Sequence, residues 1–284
     1  MDQMNFRLSK LGKSRIVAWV TLLFFTSQPV IMAAGAIVDG TTQTQVREEN
    51  GTEVVDIAAA QNGLSHNKYN QFNVGPNGLI LNNSSGNYNS QINGQNMMGN
   101  INLTGGPARI ILNEVTAPNI SQLQGKIEVG GNRADVIIAN PNGIVGNNFG
   151  FINANRVVMT TGTPQMSGDN LTGFQVTSGN IAINGTTGME AAGSKVELLS
   201  RTMQVNAKIQ AGEIKAVSGK NDIAYTEAGG AGTTTAVALD EGEVAPIVGV
   251  DISSLGGMYA NRITLIGTEK GVGVNSGGAL TATG

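Results

Sequence analysis

Few residues in this chain of 284 residues could perform chemistry. The sequence contains no Cys and a single His, His66. Without Cys the chain can form no disulfide, thiolate metal site or cysteine nucleophile. One imidazole cannot build a His-based metal cluster. We therefore interpret His66 as a structural or capping residue, and the sequence predicts no catalytic residue, no metal site and no cofactor.

Three further groups of residues contain side chains or glycines that occur in binding sites. Glu48-Glu49 is interpreted as a solvated pair on a strand. The acidic run Asp240–Glu243 follows a Gly- and Thr-rich stretch, and an acidic loop can bind Ca²⁺. It lacks regularly placed Asp residues, so we predict a surface loop. Gly271-Val272-Gly273 has the wrong spacing for a dinucleotide site and precedes no predicted helix.

The residues Asn140-Pro141-Asn142-Gly143-Ile144 are typical of a tight corner. The ring of Pro141 fixes its own φ and biases Asn140 toward an extended conformation. Asn142 and Gly143 can both adopt positive φ, and we expect positive φ at this pair. Ile144 would return an apolar side chain to the core. The pattern therefore predicts a turn that ends in a buried anchor.

The N-terminus has the pattern of a secretory signal peptide. Residues 1–15 are polar and basic, residues 16–32 are mostly apolar, and Ala33-Ala34-Gly35-Ala36 follow. A retained membrane anchor is the alternative, but the apolar stretch is short for a spanning helix. We predict a signal peptide over residues 1–34, cleaved between Met32 and Ile37. The leader carries a net charge of +3 and the rest −6, so no nucleic acid partner is expected.

The composition favours a turn-dense β protein. The chain has 40 Gly, and only 13% of its residues are charged, which is low for a helical surface. Short apolar runs with alternating polarity predict strands, for example at residues 79–81, 126–129 and 195–199. Ser121–Leu123 is the exception and is a candidate helical turn.

Two architectures fit these strands. Asn-Gly pairs join several runs: Asn77-Gly78, Asn142-Gly143 and Asn184-Gly185. Such pairs form two-residue turns of antiparallel hairpins, and they also suit the corners of a parallel β-helix. The spacing of Ile181, Val196 and Ile214 is slightly short of a full coil. Periodicity alone leaves sandwich and solenoid open.

Several segments, taken in order, resemble the secretion domains of two-partner secretion exoproteins. They are residues 63–74 (GLSHNKYNQFNV), 111–116 (ILNEVT), 134–144 (ADVIIANPNGI) and 257–263 (GMYANRI). This family includes filamentous haemagglutinin, large haemolysins and contact-dependent inhibition proteins. Each segment is weakly specific alone, but they occur in the family's order, and the resemblance covers essentially residues 36–280.

The resemblance implies an all-β fold over residues 35–284. The expected architecture is a right-handed parallel β-helix with an N-terminal cap and small antiparallel extra-helical strands. Asn100-Ile101-Asn102-Leu103 is the expected equivalent of a second family motif, Asn-Pro-Asn-Leu, with Ile101 where the family often has Pro. This departure puts the rigidity of the second turn in question.

The resemblance also implies a function. The periplasmic, POTRA-type domains of an outer-membrane transporter would recognise the domain and export it to the cell surface. There it would support adhesion, haemagglutination or toxin delivery toward a host or neighbouring cell. The motifs Asn140–Ile144 and Asn100–Leu103 are candidates for recognition by the transporter. The alternative is that they serve only as structural corners of the fold.

The C-terminal residues 274–284 do not resemble a polar solenoid cap, so we expect the chain to be the front part of a larger exoprotein. A free-standing β-helical adhesin is one alternative. A polysaccharide-acting β-helical enzyme is another, but it would need acidic and basic residues clustered on one face, which the low charge disfavours.

Overall fold

The computed structural model describes residues 35–270 and 272–284, and the predicted signal peptide lies outside them. The regular elements of this part are 25 β-strands. It contains no helix long and apolar enough to cross a membrane.

The strands of the first half are β1 (Ile37–Val38), β2 (Gln45–Glu49), β3 (Thr52–Asp56), β4 (Leu64–Gln71), β5 (Leu79–Asn83), β6 (Tyr88–Asn89), β7 (Asn96–Met97), β8 (Ile110–Val115), β9 (Ser121–Leu123), β10 (Lys126–Gly131), β11 (Ala134–Ala139) and β12 (Ile144–Ile152). Those of the second half are β13 (Ala154–Thr160), β14 (Thr163–Ser167), β15 (Asn170–Val176), β16 (Asn180–Ser200), β17 (Thr202–Val205), β18 (Lys208–Ser218), β19 (Asn221–Thr226), β20 (Gly230–Ala236), β21 (Val248–Ile252), β22 (Gly257–Ala260), β23 (Arg262–Gly267), β24 (Gly273–Ser276) and β25 (Ala279–Ala282).

Parallel strands stack into three sheets, here called faces 1, 2 and 3. Face 1 contains β3, β5, β10, β22 and β25, with the end of β12, the middle of β16 and the start of β18. Face 2 contains β4, β8, β11, β13 and β23, with the ends of β16 and β18. Face 3 contains β9, β17, β21 and β24, with the starts of β12 and β16. The chain visits the faces in turn, which is the path of a parallel β-helix and confirms the predicted fold.

Apolar side chains from successive coils stack inside the three faces. On face 3, Ile144 pairs with Ile181, Ile181 with Met203, and Met203 with Val250. All four are buried. Fully burying such a side chain contributes about 1.5–3 kcal/mol. Because each inward position repeats once per coil, the core is a continuous column.

Antiparallel strands cover both the end and the sides of the β-helix. At the N-terminal end β1 pairs with β4 and β2 pairs with β3, which forms the predicted cap. Strands β14, β15, β19 and β20 form a four-stranded antiparallel sheet outside the solenoid. Its Phe174 and Ile223 join a second apolar cluster with the outward side chains Ile137 and Val158 of face 2. Face 2 is therefore buried on both sides.

Two details of the local predictions were wrong, and the structure decides one alternative that the sequence left open. Ser121–Leu123 is not a helical turn, because its backbone extends the ladder of face 3 as β9. The Asn-Gly pairs are not hairpin turns, since they occur in a parallel body, and Asn184-Gly185 lies within β16. The spacing comparison mixed two faces: Ile181 stacks on face 3, whereas Val196 pairs with Ile214 on face 2.

Candidate functional site at two solenoid corners

The corner at Asn140 turns the chain from face 2 to face 3. The side chain of Asn140 is fully buried, and its Nδ2 donates to the carbonyl of Asn119 at 2.8 Å and to Ser121 Oγ at 2.9 Å. Its Oδ1 accepts the N–H of Asn142 at 3.0 Å, and its backbone carbonyl accepts the N–H of Gly143 at 3.1 Å. Asn140 thus fixes its own turn and ties it to the preceding coil.

The backbone of this corner differs from the sequence expectation at one residue. Gly143 has φ of +121°, as predicted, but Asn142 is not among the residues with positive φ. Pro at the second position, negative φ at the third and Gly at the fourth are the features of a type I turn. Asn142 instead contributes its side chain, whose Nδ2 donates to the carbonyl of Ala117 at 2.9 Å. The expectation of positive φ at Asn142 is therefore corrected.

Ile144 anchors the corner in the core, as predicted. It is fully buried and pairs with Ser121 of the preceding coil and Ile181 of the next. Pro141 is half-buried and Asn142 is exposed. A partner of the folded domain could therefore reach Pro141 and Asn142 but not Asn140 or Ile144.

The corner at Asn100 has the same internal construction. The Nδ2 of Asn100 donates to the carbonyls of Ile57 at 2.9 Å and Asn82 at 3.1 Å, and its Oδ1 accepts the N–H of Asn102 at 2.9 Å. The N–H of Leu103 donates to the carbonyl of Asn100 at 3.3 Å. Asn100 and Leu103 are buried. The two motifs are thus two copies of one Asn-anchored turn.

The structure does not bring the two corners together. Asn100–Leu103 lies in the long connection from β5 on face 1 to β8 on face 2, whereas Asn140–Gly143 connects β11 on face 2 to β12 on face 3. Asn102 ties its corner to the N-terminal cap, because its Nδ2 donates to the carbonyls of Gln43 at 3.1 Å and Ile57 at 3.2 Å. The two motifs therefore brace different edges of the solenoid.

The shared construction predicts the effect of proline at Ile101. This residue is 83% exposed, and no hydrogen bond from its N–H occurs in the described part of the chain. Ile101→Pro is expected to raise the free energy of unfolding by about 0.4–1 kcal/mol, because it restricts the unfolded chain. Pro141→Ile should lower it by a similar amount. Urea unfolding of both variants measures this, and a loss of stability in Ile101→Pro would show that the turns are not equivalent.

Sequence reasoning missed Glu128, which holds the connection that contains the Asn100 corner. Glu128 lies on β10 and is 1% exposed. Its carboxylate accepts hydrogen bonds from Ser90 Oγ at 2.7 Å, from the N–H of Gln91 at 2.9 Å and from the N–H of Ile92 at 3.0 Å. The alternation of β10 shows that Glu128 points outward, but an outward Glu normally indicates a solvated position.

His66 and the acidic run Asp240–Glu243, both singled out in the sequence, have structural contacts, whereas Gly271 lies outside the described residues. His66 Nε2 lies 2.7 Å from Glu114 Oε2 on face 2. In the acidic run, Lys220 Nζ lies 3.0 Å from Asp240 Oδ2 and 2.8 Å from Glu243 Oε2. The hydrogen bond from Lys220 and the positive charge of Arg201 lower the pKa of Glu243 to about 2. These contacts dock the loop onto the solenoid.

Comparisons with known proteins agree with this geometry. The family model described as the TPS secretion domain matches residues 34–284. The chain is 40% identical over 282 residues to a 16S rRNA endonuclease CdiA of Enterobacter cloacae subsp. cloacae, and 41% identical over 271 residues to a toxin CdiA of Yersinia pestis. These alignments cover 98% and 95% of the chain but only 8% of either relative. The crystal structure of a filamentous hemagglutinin secretion domain matches with a TM-score of 0.78 at 34% identity, over 88% of this chain and 84% of that one.

Proposed function

This chain belongs to the TPS secretion domain family, and we propose that it targets a larger exoprotein to its own outer-membrane transporter. The match over residues 34–284 supports this assignment. The partner implied by the family is an outer-membrane transporter of two-partner secretion, and exoproteins of this class are secreted or exposed at the cell surface. We further propose that the transporter's periplasmic, POTRA-type domains make the first contact.

The observation that carries the mechanism is the burial of the motif side chains. Asn140 and Ile144 are fully buried, and Asn100 and Leu103 are nearly so. A folded domain cannot offer these side chains to another protein. We therefore propose that the transporter engages the two motifs before the chain folds. The same residues then form the corners once the chain folds outside the cell.

The domain boundaries form part of the proposal. Residues 1–34 act as a signal peptide that is removed, and residues 35–284 form the secretion domain. The chain spans about 8% of the length of the CdiA relatives that it matches, which supports a position at the front of a longer exoprotein. Because several of these relatives are named as toxins or nucleases, we propose toxin delivery as the task of the complete exoprotein. The catalytic chemistry would then lie outside the secretion domain.

Co-expression with a cognate outer-membrane transporter of two-partner secretion tests the proposed function. The chain is expected in the medium only when the transporter is present, and in the periplasm, without its leader, when the transporter is absent. Immunoblots of the two fractions measure this. The transporter's periplasmic domains should capture chain freshly diluted from urea at least tenfold better than chain that has already folded.

Three results would contradict the proposal. The first is equal export with and without the transporter. The second is no capture of either form. The third is capture of the folded form alone, which would exclude recognition before folding. A variant of the transporter that lacks its periplasmic domains provides the matched control, because its barrel remains but its proposed recognition surface is gone.

A further inference from the structure

The fold incorporates the chain from Gly35 onward. The side chain of Ala36 is 8% exposed and belongs to the core cluster. Its N–H donates to Glu53 Oε1 at 2.8 Å. The carbonyl of Gly35 accepts a hydrogen bond from Gln71 Nε2 at 3.1 Å, and β1 begins at Ile37. A signal-peptide cut after Ala36 would remove these contacts, so the structure favours a cut before Gly35.

Glu53 lies beside this point without a cationic partner in the described part of the chain. It sits on β3, partly buried, and its carboxylate occupies the space that a Cβ on Gly35 would need. Arg47 on β2 could serve it, but its guanidinium bonds instead to Asp56, 2.8 Å from Nε, and to Glu49. Burial raises the pKa of Glu53, because only one backbone N–H compensates its charge.

We propose that Glu53 binds the α-ammonium group that signal-peptide removal creates at Gly35, so that processing completes the N-terminal cap. This inference rests on the leader proposed above. A peptidase uses one water molecule to hydrolyse the Ala34–Gly35 bond, which leaves a carboxylate on Ala34 and an amine on Gly35. The amine takes up a proton near neutral pH. The small residues at Ala33 and Ala34 suit such a cut.

The surroundings of Glu53 favour a cation. Gly35, Glu48 and Glu53 line a shared cleft of about 410 Å³. Arg47 lines it too, but its guanidinium is already paired with Glu49 and Asp56. Glu48 pairs with Glu53 across the β2–β3 ladder, so two acidic residues border this cleft. The buried Tyr69 hydroxyl contributes no positive charge, and its pKa is raised by burial and by Glu53. An ammonium group here would form a charge-assisted hydrogen bond with Glu53 and compensate the negative charge of its desolvated carboxylate.

A double-mutant cycle on the full-length chain tests the proposal. The chain is produced with its leader, purified from the periplasm after processing, and its N-terminus is determined by mass spectrometry. One variant carries Gly-Gly inserted between Ala34 and Gly35, which moves the ammonium away, and the other carries Glu53→Gln. The insertion is expected to shift the unfolding equilibrium roughly tenfold toward the unfolded state in the natural chain, but not in Glu53→Gln.

The pH dependence separates this pairing from a general disturbance of the cap. The effect of the insertion should vanish at acid pH, where the carboxylate is protonated, and at alkaline pH, where the amine is neutral. Glu48→Gln is the matched control and should preserve most of the effect. An N-terminus other than Gly35, an insertion without effect, or an equal effect in Glu53→Gln would overturn the proposal. These readouts measure stability and do not depend on export.

Discussion

Gly143→Val is expected to reduce the amount of extracellular chain at least tenfold while leaving removal of the signal peptide intact. Gly143 has φ of +121°, which is unfavourable for a β-branched residue. A Cβ placed there would also lie 3.1 Å from the carbonyl oxygen of Asn180 in the next coil. Together these effects should cost about 2–4 kcal/mol of stability. Immunoblots of medium and periplasm beside the cognate transporter measure export, and urea unfolding measures stability.

The neighbouring residue provides the sharpest control for this prediction. Asn142→Val loses the hydrogen bond to Ala117 but requires no positive φ, and Asn142 is exposed. We expect a loss of about 1 kcal/mol and a smaller fall in export than for Gly143→Val, because the backbone of the corner is kept. Gly86→Val, at a position with open space and no positive φ, controls for the substitution itself. Normal extracellular levels of Gly143→Val would show that the corner is not required.

The comparison between Asn142 and Gly143 shows what the sequence could predict at the candidate site. The residue types predicted the turn, the positive φ of Gly143 and the burial of Ile144. It did not identify which residue would adopt positive φ, because Asn and Gly both tolerate that region. In the folded corner Gly143 alone of the two has positive φ, and the N–H of Asn142 donates to Asn140 Oδ1.

The coil register lay beyond sequence reasoning for a different reason. Ile144, Ile181, Met203 and Val250 form one stack on face 3, yet the intervals between them are unequal. The β14–β15 hairpin is inserted before Ile181, and the β19–β20 hairpin before Val250. Insertions between faces do not disturb the stacked strands, so the structure tolerates them. They nevertheless remove the fixed period that would identify a solenoid in the sequence.

The sequence also did not predict the contacts that depend on this register. The most important of them is a buried cluster of charged side chains. Asp135, Arg156 and Glu197 belong to β11, β13 and β16, three successive strands of face 2. Each looks like an ordinary surface charge in its own strand. Only the stacking of the coils and the covering antiparallel sheet bring them together and bury them.

Arg156→Met is expected to lower the free energy of unfolding by about 3–5 kcal/mol at pH 7, because it leaves buried carboxylates without their cation. The Arg156 side chain is 7% exposed, and its Nη1 lies 2.7 Å from Asp135 Oδ2 while its Nε lies 3.7 Å from Glu197 Oε1. It also donates to the carbonyls of Glu227 and Ala228 in the turn between β19 and β20. Amide hydrogen exchange should therefore accelerate in residues 227–231 before it accelerates in the inner strands of the solenoid.

The pH dependence of Arg156→Met distinguishes an uncompensated charge from a simple packing defect. Burial raises the pKa of Glu197 even in the natural chain, where the N–H of Ala231 and the charge of Arg156 oppose the shift. Removing the guanidinium should raise this pKa further. A carboxyl group with a higher pKa in the folded state stabilises the fold most when it is protonated, so the loss should shrink as the pH falls toward 4–5. Arg109→Met is the control, because its pair with Glu227 reaches the same turn but is exposed to solvent. A loss in Arg156→Met that does not change with pH would mean that the guanidinium acts as a spacer and not as a counter-ion.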